Sequence, residues 1–329
     1  MDRMVKRVVD KVKRLGNDFL FSTGFLAGQR LKNTPHTILM YHGVDSSGDI
    51  RFNSRHTAVG DFSRHIQFLN THCNIIPLRD FFEKKFIEGR PNVALTFDDG
   101  YRNNLTYALP VLEKEKAPAT FYITGLNNTS CNILWPDFLN IASTLTNETI
   151  VIEGEQFARK NNVYHSLETG ENLYHIIKHK RADFDYKLAM IDAFKGIYDF
   201  RNDPAFDDYW KLMTDKEIRK CSESDFIEIG SHGFFHNNLG TIPLVDASKE
   251  IADSKAYLEA ITNKSVVAIG YPDGSYSHAV IAAAEKRGFI TQAAGEGFIN
   301  PEDENDNRIR DRKGIYTWDT CANQLLINL

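Results

Sequence analysis

Cysteine is scarce in this chain. Its four residues, Cys73, Cys131, Cys221 and Cys321 among 329, show no paired spacing, which argues against a disulfide framework. Free thiols suit a reducing compartment, so a cytoplasmic location is expected. Positive charge is not in excess: 39 Lys and Arg stand against 44 Asp and Glu, giving a net charge of −5. That balance excludes the basic surface a nucleic-acid partner demands, while a neutral or weakly charged sugar is compatible with it. With 42% hydrophobic and 25% charged residues, disorder is not indicated, and the length is ample for one large core or for a barrel with a small addition.

The opening segment lacks the uninterrupted apolar core of a targeting peptide. Residues 1–31 carry Arg3, Lys6, Arg7, Lys11, Lys13 and Arg14, with Met4, Val5, Val8, Val12, Leu15 and Phe19 at helical spacing between them. The pattern predicts an amphipathic basic helix that spans no bilayer. It suits either peripheral contact with the anionic inner face of a membrane or packing on the protein's own body.

What is present is concentrated around Leu95-Thr96-Phe97-Asp98-Asp99-Gly100-Tyr101. The apolar run 93–97 reads as a buried strand. Two carboxylates at its C-terminal end must be paired, metal-bound or titrated, because an unpaired buried charge is costly. Strand ends are where α/β folds keep their chemistry. One of the two carboxylates suits a metal and the other a proton, because side chains alternate along an extended chain. A second strand-like run, 226–230, leads into Ser231-His232-Gly233-Phe234-Phe235-His236. Two imidazoles four residues apart share one face of a helical turn, and with a carboxylate they make the ligand set of a catalytic zinc site.

These stretches together resemble the polysaccharide deacetylases of carbohydrate esterase family 4. Thr96 to Gly100 is similar to the family's first motif and Ser231 to His236 to its second. Gly270-Tyr271-Pro272-Asp273-Gly274 is similar to the third-motif region of its exopolysaccharide branch. The resemblance covers roughly residues 36–295 and implies a distorted (β/α) barrel of about seven strands in the α/β class. It implies Asp98 as general base and Asp99, His232 and His236 as ligands of a divalent metal, zinc first, with cobalt, nickel or iron fitting the same set. The remaining substrate and oxyanion positions fall on Tyr101, Tyr271, Pro272 and Asp273. The family's C-terminal histidine has no counterpart, since no histidine follows His278. In the exopolysaccharide branch an N-terminal strand takes that barrel position, and Met40-Tyr41-His42 matches it, which makes His42 the implied general acid. Gly270 stands where the fullest third motif has an arginine, so Arg308 or Arg310 is expected to supply the guanidinium.

Around these motifs the chain alternates strand and helix, except over about 126–224. That stretch reads as a largely helical insertion within the deacetylase domain of residues 32–329. An insertion leaving and re-entering at strand ends should cover the active-site face. Its aromatics, among them Trp135, Tyr164, Tyr174, Tyr186, Phe194 and Trp210, are expected to form mainly its own core. His175 and His179 read as a solvated helix face. The function implied is removal of an N-acyl group, acetyl first, from an amino sugar in surface-polysaccharide biosynthesis. Two alternatives stand beside it: a deformylase or deacetylase of a lipid-linked or nucleotide-linked sugar, and a non-catalytic carbohydrate-binding relic.

Overall fold

The structure, a computed structural model, describes residues 36–181, 184–195 and 199–315. The basic segment expected over residues 1–31, and Cys321, lie outside them. Seven parallel strands form a ring: β1 (Thr37–Tyr41), β2 (Asn92–Phe97), β3 (Ala119–Ile123), β4 (Ile227–Ser231), β5 (Ala268–Gly270), β6 (Thr291–Glu296) and β7 (Ile309–Gly314). Each pairs with the next and β7 returns to β1, so the sheet closes, while the short strand Asn74–Ile75 is attached to β2 alone. The expected barrel of about seven strands is what forms.

Strands buried on both faces read as continuous apolar runs, and here alternation separates two environments. Leu39, Tyr41, Val93, Leu95, Phe97, Phe121, Ile229 and Ile269 point outward against the surrounding helices. Ile38, Ala94, Tyr122, Ala268 and Ala293 point into the ring. The interior residues are mostly small because one ring, Tyr122, fills the centre. A Cβ added at Gly230 or Gly270 would come within 2.6 or 2.8 Å of Tyr122, so glycine at both positions is a packing requirement. Helices Val59–His72, Leu109–Glu115, Leu244–Thr262 and His278–Lys286 cover the outside.

The insertion departs from the expectation of a largely helical segment. Helices Trp135–Leu145, Leu173–His179 and Phe184–Lys195 are present, but an antiparallel meander, Ile150–Ile152, Glu155–Lys160 and Val163–Ser166, lies between the first two. The middle strand, Glu-Gln-Phe-Ala-Arg-Lys, buries only Phe157, so it carries almost no apolar alternation to read. The turns that close the hairpins place Glu153, Gly154, Asn161 and Asn162 at positive φ, which glycine adopts freely and asparagine tolerates better than most other residues. The insertion has its own core, with Phe138, Phe157, Tyr164, Phe194 and Phe200 fully buried. His175 lies on the surface against Glu171, as a solvated helix face would. Cys73, Cys131 and Cys221 are free and buried. Among the described residues no helix is long and apolar enough to cross a membrane.

Candidate active site

At the C-terminal end of β2 the interior alternation of Ala94 and Thr96 continues to Asp98. Asp99 breaks it with φ 76°, followed by Gly100 at φ 79°. The strained turn keeps both carboxylates at one site, with His232 Nε2 lying 3.8 Å from Asp98 Oδ2 and 3.4 Å from Asp99 Oδ1. A non-glycine residue holds this conformation only where its surroundings enforce it, and here they do.

Arg312 of β7 supplies the guanidinium that the third-motif region lacks. Its Nη1 donates to Asp98 Oδ1 at 2.6 Å and its Nη2 to Oδ2 at 2.8 Å, while Nε donates to the Ala294 carbonyl at 2.6 Å. The expectation of Arg308 or Arg310 is therefore corrected. Arg308 binds Asp306 and Glu285, and Arg310 lies over the Phe82 ring. A side chain at 270 has no room here, because the Tyr122 ring occupies the space it would need, and Arg312 reaches Asp98 across that same ring, its guanidinium carbon 5.3 Å from the centroid. Burial pushes Asp98 up, but Arg312 and then His232 outweigh it and hold the carboxyl below its ordinary value.

Asp99, His232 and His236 converge, with one potential ligand atom from each lying within 4.8 Å of the others. His236 Nε2 is 3.2 Å from Asp99 Oδ1. His232 Nδ1 is 2.7 Å from the Gly270 carbonyl. That oxygen can only accept, so Nδ1 carries a proton, which leaves Nε2, on the Asp99 side, as the nitrogen available to a metal. Asp99 Oδ1 is buried and has no hydrogen-bond partner. An orphaned carboxylate oxygen facing imidazole nitrogens is costly unless a cation joins them, so the three residues fit a divalent metal. Burial raises Asp99, yet Arg55 first and then the two histidines hold it well below the ordinary range. Burial likewise lowers His232, which Asp98 and Asp99 raise overall.

The two imidazoles do not share a helical turn, as their spacing suggested. Residues 232–236 form an irregular loop in which Gly233 has φ 69° and His236 φ 54°. A buried carboxylate shapes this loop: Glu250 Oε1 accepts from the backbone N–H of Phe234 at 3.1 Å, Phe235 at 2.9 Å and Asn237 at 3.3 Å. A Cβ at Gly233 would lie 2.8 Å from that oxygen.

Several site residues were not visible in the sequence. Arg55, in the loop after β1, donates to Asp99 Oδ2 at 3.2 Å, to the Tyr101 hydroxyl at 2.7 Å and to Asp137 Oδ1 at 2.6 Å. Tyr101 in turn donates to Asp137 Oδ2 at 2.5 Å. Asp137 belongs to the insertion, as does the buried Lys187, which donates to Asn237 Oδ1 at 3.0 Å. The insertion is thus tied to both halves of the candidate metal centre. No local pattern announces such contacts, because the partners are dozens of residues apart in the chain.

A cavity of about 540 Å³ opens over the site, bordered by His42, Arg55, Asp98, Asp99, His232 and His236 and, on the insertion side, by Asp137, Tyr174 and Lys178 among others. His42 stands at the end of β1, the strand between β2 and β7. Burial, followed by Arg55, lowers its pKa to about 4, so the ring is neutral near pH 7 in the metal-free site. Asp273 has φ 53°, borders the cavity and pairs with Lys178 at 3.4 Å. Neither the Tyr101 nor the Tyr271 side chain is placed to touch a substrate in the cavity. Tyr271 follows the outward alternation of Ile269 and is buried among the outer packing, donating to Gln292 Oε1 at 2.5 Å. The Tyr101 side chain is fully buried against Arg55 and Asp137 and does not border this cavity. Pro272 is buried and carries the chain from Tyr271 to Asp273.

The sequence model of the polysaccharide deacetylase family matches residues 87–160 and 188–291. A curated relative, YxkH of Bacillus subtilis (strain 168), is 21% identical over 257 residues, 77% of this chain, and the match spans 61% of that protein's own length. Among solved structures, the Streptococcus pyogenes deacetylase PplD in complex with acetate superposes with a TM-score of 0.55 at 18% identity, covering 88% of this chain and 96% of that one. IcaB from Ammonifex degensii gives 0.55 at 14% identity, covering 89% and 98%. Those two likenesses establish the barrel fold, and the family match covers more than half of the sequence, including the Asp98-Asp99 and His232-His236 motifs. The chain belongs to the polysaccharide deacetylase family.

Proposed function

We propose that this protein is a metal-dependent hydrolase that removes an N-acyl group, acetyl in the first instance, from an amino sugar of a saccharide. The observation that carries the reading is the Arg312-held carboxylate of Asp98 beside the convergent Asp99, His232 and His236. A divalent cation on those three residues, zinc being the natural occupant of a two-histidine, one-carboxylate set, would polarise the amide carbonyl and acidify a water. Asp98 is the base that takes the proton of the attacking water. Its pairing with Arg312 fixes the carboxylate in place and keeps it ionised at neutral pH. The water oxygen bonds to the carbonyl carbon, the C–N bond breaks, and the amine leaves with a proton while the acyl group departs as a carboxylate. His42 is the donor of that last proton. Since the free ring is neutral, the proton it delivers must reach it along the reaction path.

The test is mass spectrometry of N-acetylated oligosaccharides incubated with the zinc-loaded chain, expected to show loss of acetyl groups and a matching release of acetate. Asp98→Asn should lower kcat by about 10²-fold or more, the usual scale for a positioned base. Wild-type rates in Asp98→Asn would remove the base assignment, and no acetyl loss from any N-acetylated saccharide would remove the hydrolase reading.

A further inference from the structure

His175 and His179 take no part in the candidate active site. Both are exposed, and neither borders the cavity. They stand four residues apart on the helix Leu173–His179, so their side chains share one of its faces. Their ring centroids are 4.6 Å apart with the planes inclined at 45°. The same spacing in sequence separates His232 from His236, whose centroids are 5.1 Å apart at 70°. Two imidazoles that each bind one ion through nitrogen at about 2.0–2.1 Å have centroids roughly 5 Å apart. The exposed pair therefore has the separation of a chelating pair, and two histidines at this spacing on one helical face are an ordinary way of holding zinc.

The first ring is already oriented. His175 Nδ1 lies 2.7 Å from Glu171 Oε1, four residues earlier in the chain. The ionised carboxylate accepts, so Nδ1 carries a proton and Nε2 is left as the nitrogen available to an ion. A carboxylate on the far nitrogen is the usual companion of a metal-binding histidine. Unpaired lysines would repel a cation here, but Lys180 is paired with Glu171 Oε2 and Lys178 with Asp273 Oδ1, so both ammonium groups are held on carboxylates.

We propose that His175 and His179 form a second metal site, for a transition-metal dication such as zinc, nickel or copper, with Glu171 orienting His175 and water completing the coordination. Imidazole suits those ions, whereas magnesium and calcium demand oxygen ligands and are not bound there. Two protein ligands hold an ion more weakly than three. This site therefore fills after Asp99, His232 and His236, when free metal is in excess, and loses its ion when the excess is dialysed away. It stands apart from the reaction and does not depend on the hydrolase reading.

The probes are zinc chloride and nickel chloride, titrated calorimetrically into the full chain. Wild type should take up a tight equivalent and then a weaker one, and the double variant His175→Ala, His179→Ala should lose the weaker one alone. The complementary double variant, His232→Ala, His236→Ala, should keep only the weaker one. Glu171→Gln should weaken that second equivalent by about tenfold or more, the scale for a group that orients a metal ligand, and magnesium chloride should not compete for it. Melting curves of the variants check the fold, which substitutions at exposed positions should leave intact. Metal uptake in His175→Ala, His179→Ala identical to wild type at saturation, or equal competition by magnesium, would overturn the site. Loss of an equivalent with His175 and His179, but none with His232 and His236, supports the surface site while refuting the proposed catalytic centre; the opposite pattern refutes the surface site and leaves the catalytic centre standing.

Discussion

Arg312 and Asp98 face each other with both guanidinium nitrogens on both carboxylate oxygens, at 2.6 and 2.8 Å, although 214 residues separate them in the chain. The pair is buried, so its halves are not independent. Arg312→Met leaves an uncompensated buried carboxylate and should cost about 3–5 kcal/mol in chemical denaturation. The double variant Arg312→Met, Asp98→Asn should regain part of that loss. Arg312→Lys keeps the charge without the two-pronged geometry and should lower kcat by about tenfold or more at unchanged fold. A double variant no more stable than Arg312→Met alone would show that the two residues do not act as a pair.

Arg55 occupies Asp99 Oδ2 and leaves Oδ1 directed at the histidines. Arg55→Met and Asp137→Asn should each weaken zinc binding by about 10- to 100-fold in competition with a chromophoric chelator, the range for partners that orient a metal ligand. Unchanged affinity in both would reduce the Arg55–Asp137 pair to a purely structural contact.

The loop that carries His236 depends on Glu250. Glu250→Ala removes the acceptor of three backbone N–H groups and should destabilise the protein by about 3 kcal/mol, with Glu250→Gln costing less because it keeps one acceptor oxygen. Gly233→Ala should be destabilising as well, since it combines φ 69° with a Cβ 2.8 Å from Glu250. Denaturant titrations in which these variants match wild type would contradict the account of the loop.

Much of the site could be read from Asp98, Asp99, His232 and His236, because strand ends followed by adjacent carboxylates or closely spaced imidazoles are local patterns. Arg55, Asp137, Lys187, Glu250 and Arg312 could not, since each acquires its role from a contact made only when the barrel closes or the insertion docks. Arg312 illustrates how near a sequence argument can come. The C-terminal segment does supply the arginine, but it is Arg312 and not the expected Arg308 or Arg310, on the stretch of β7 where the pairing with β6 shifts register. Tyr271 differs from its motif neighbour Asp273 because strand parity turns Ala268 and Gly270 inward and Ile269 and Tyr271 outward. The meander of the insertion was missed because its strands are short and its middle one is polar.

His65 provides a pH test away from the metal ligands. It is buried, its Nδ1 lies 3.4 Å from the Tyr41 hydroxyl, and burial lowers its pKa to about 4. The folded value lies below the unfolded value of about 6.5, so the unfolded state binds the extra proton first. The stability His65 contributes is complete above about pH 6.5 and is lost as pH falls toward 4, by up to roughly 3 kcal/mol. Wild type should therefore lose more stability between pH 7 and 5 than His65→Asn does, and equal losses would place the acid sensitivity elsewhere.

The central claim, that Asp99, His232 and His236 hold one divalent ion beside a base that is not itself a ligand, is tested most directly by elemental analysis of purified variants. The account predicts about one equivalent of metal in wild type and in Asp98→Asn, and almost none in the double variant His232→Ala, His236→Ala, because removing two of three protein ligands all but abolishes binding. A full equivalent of metal retained by the double variant would contradict it.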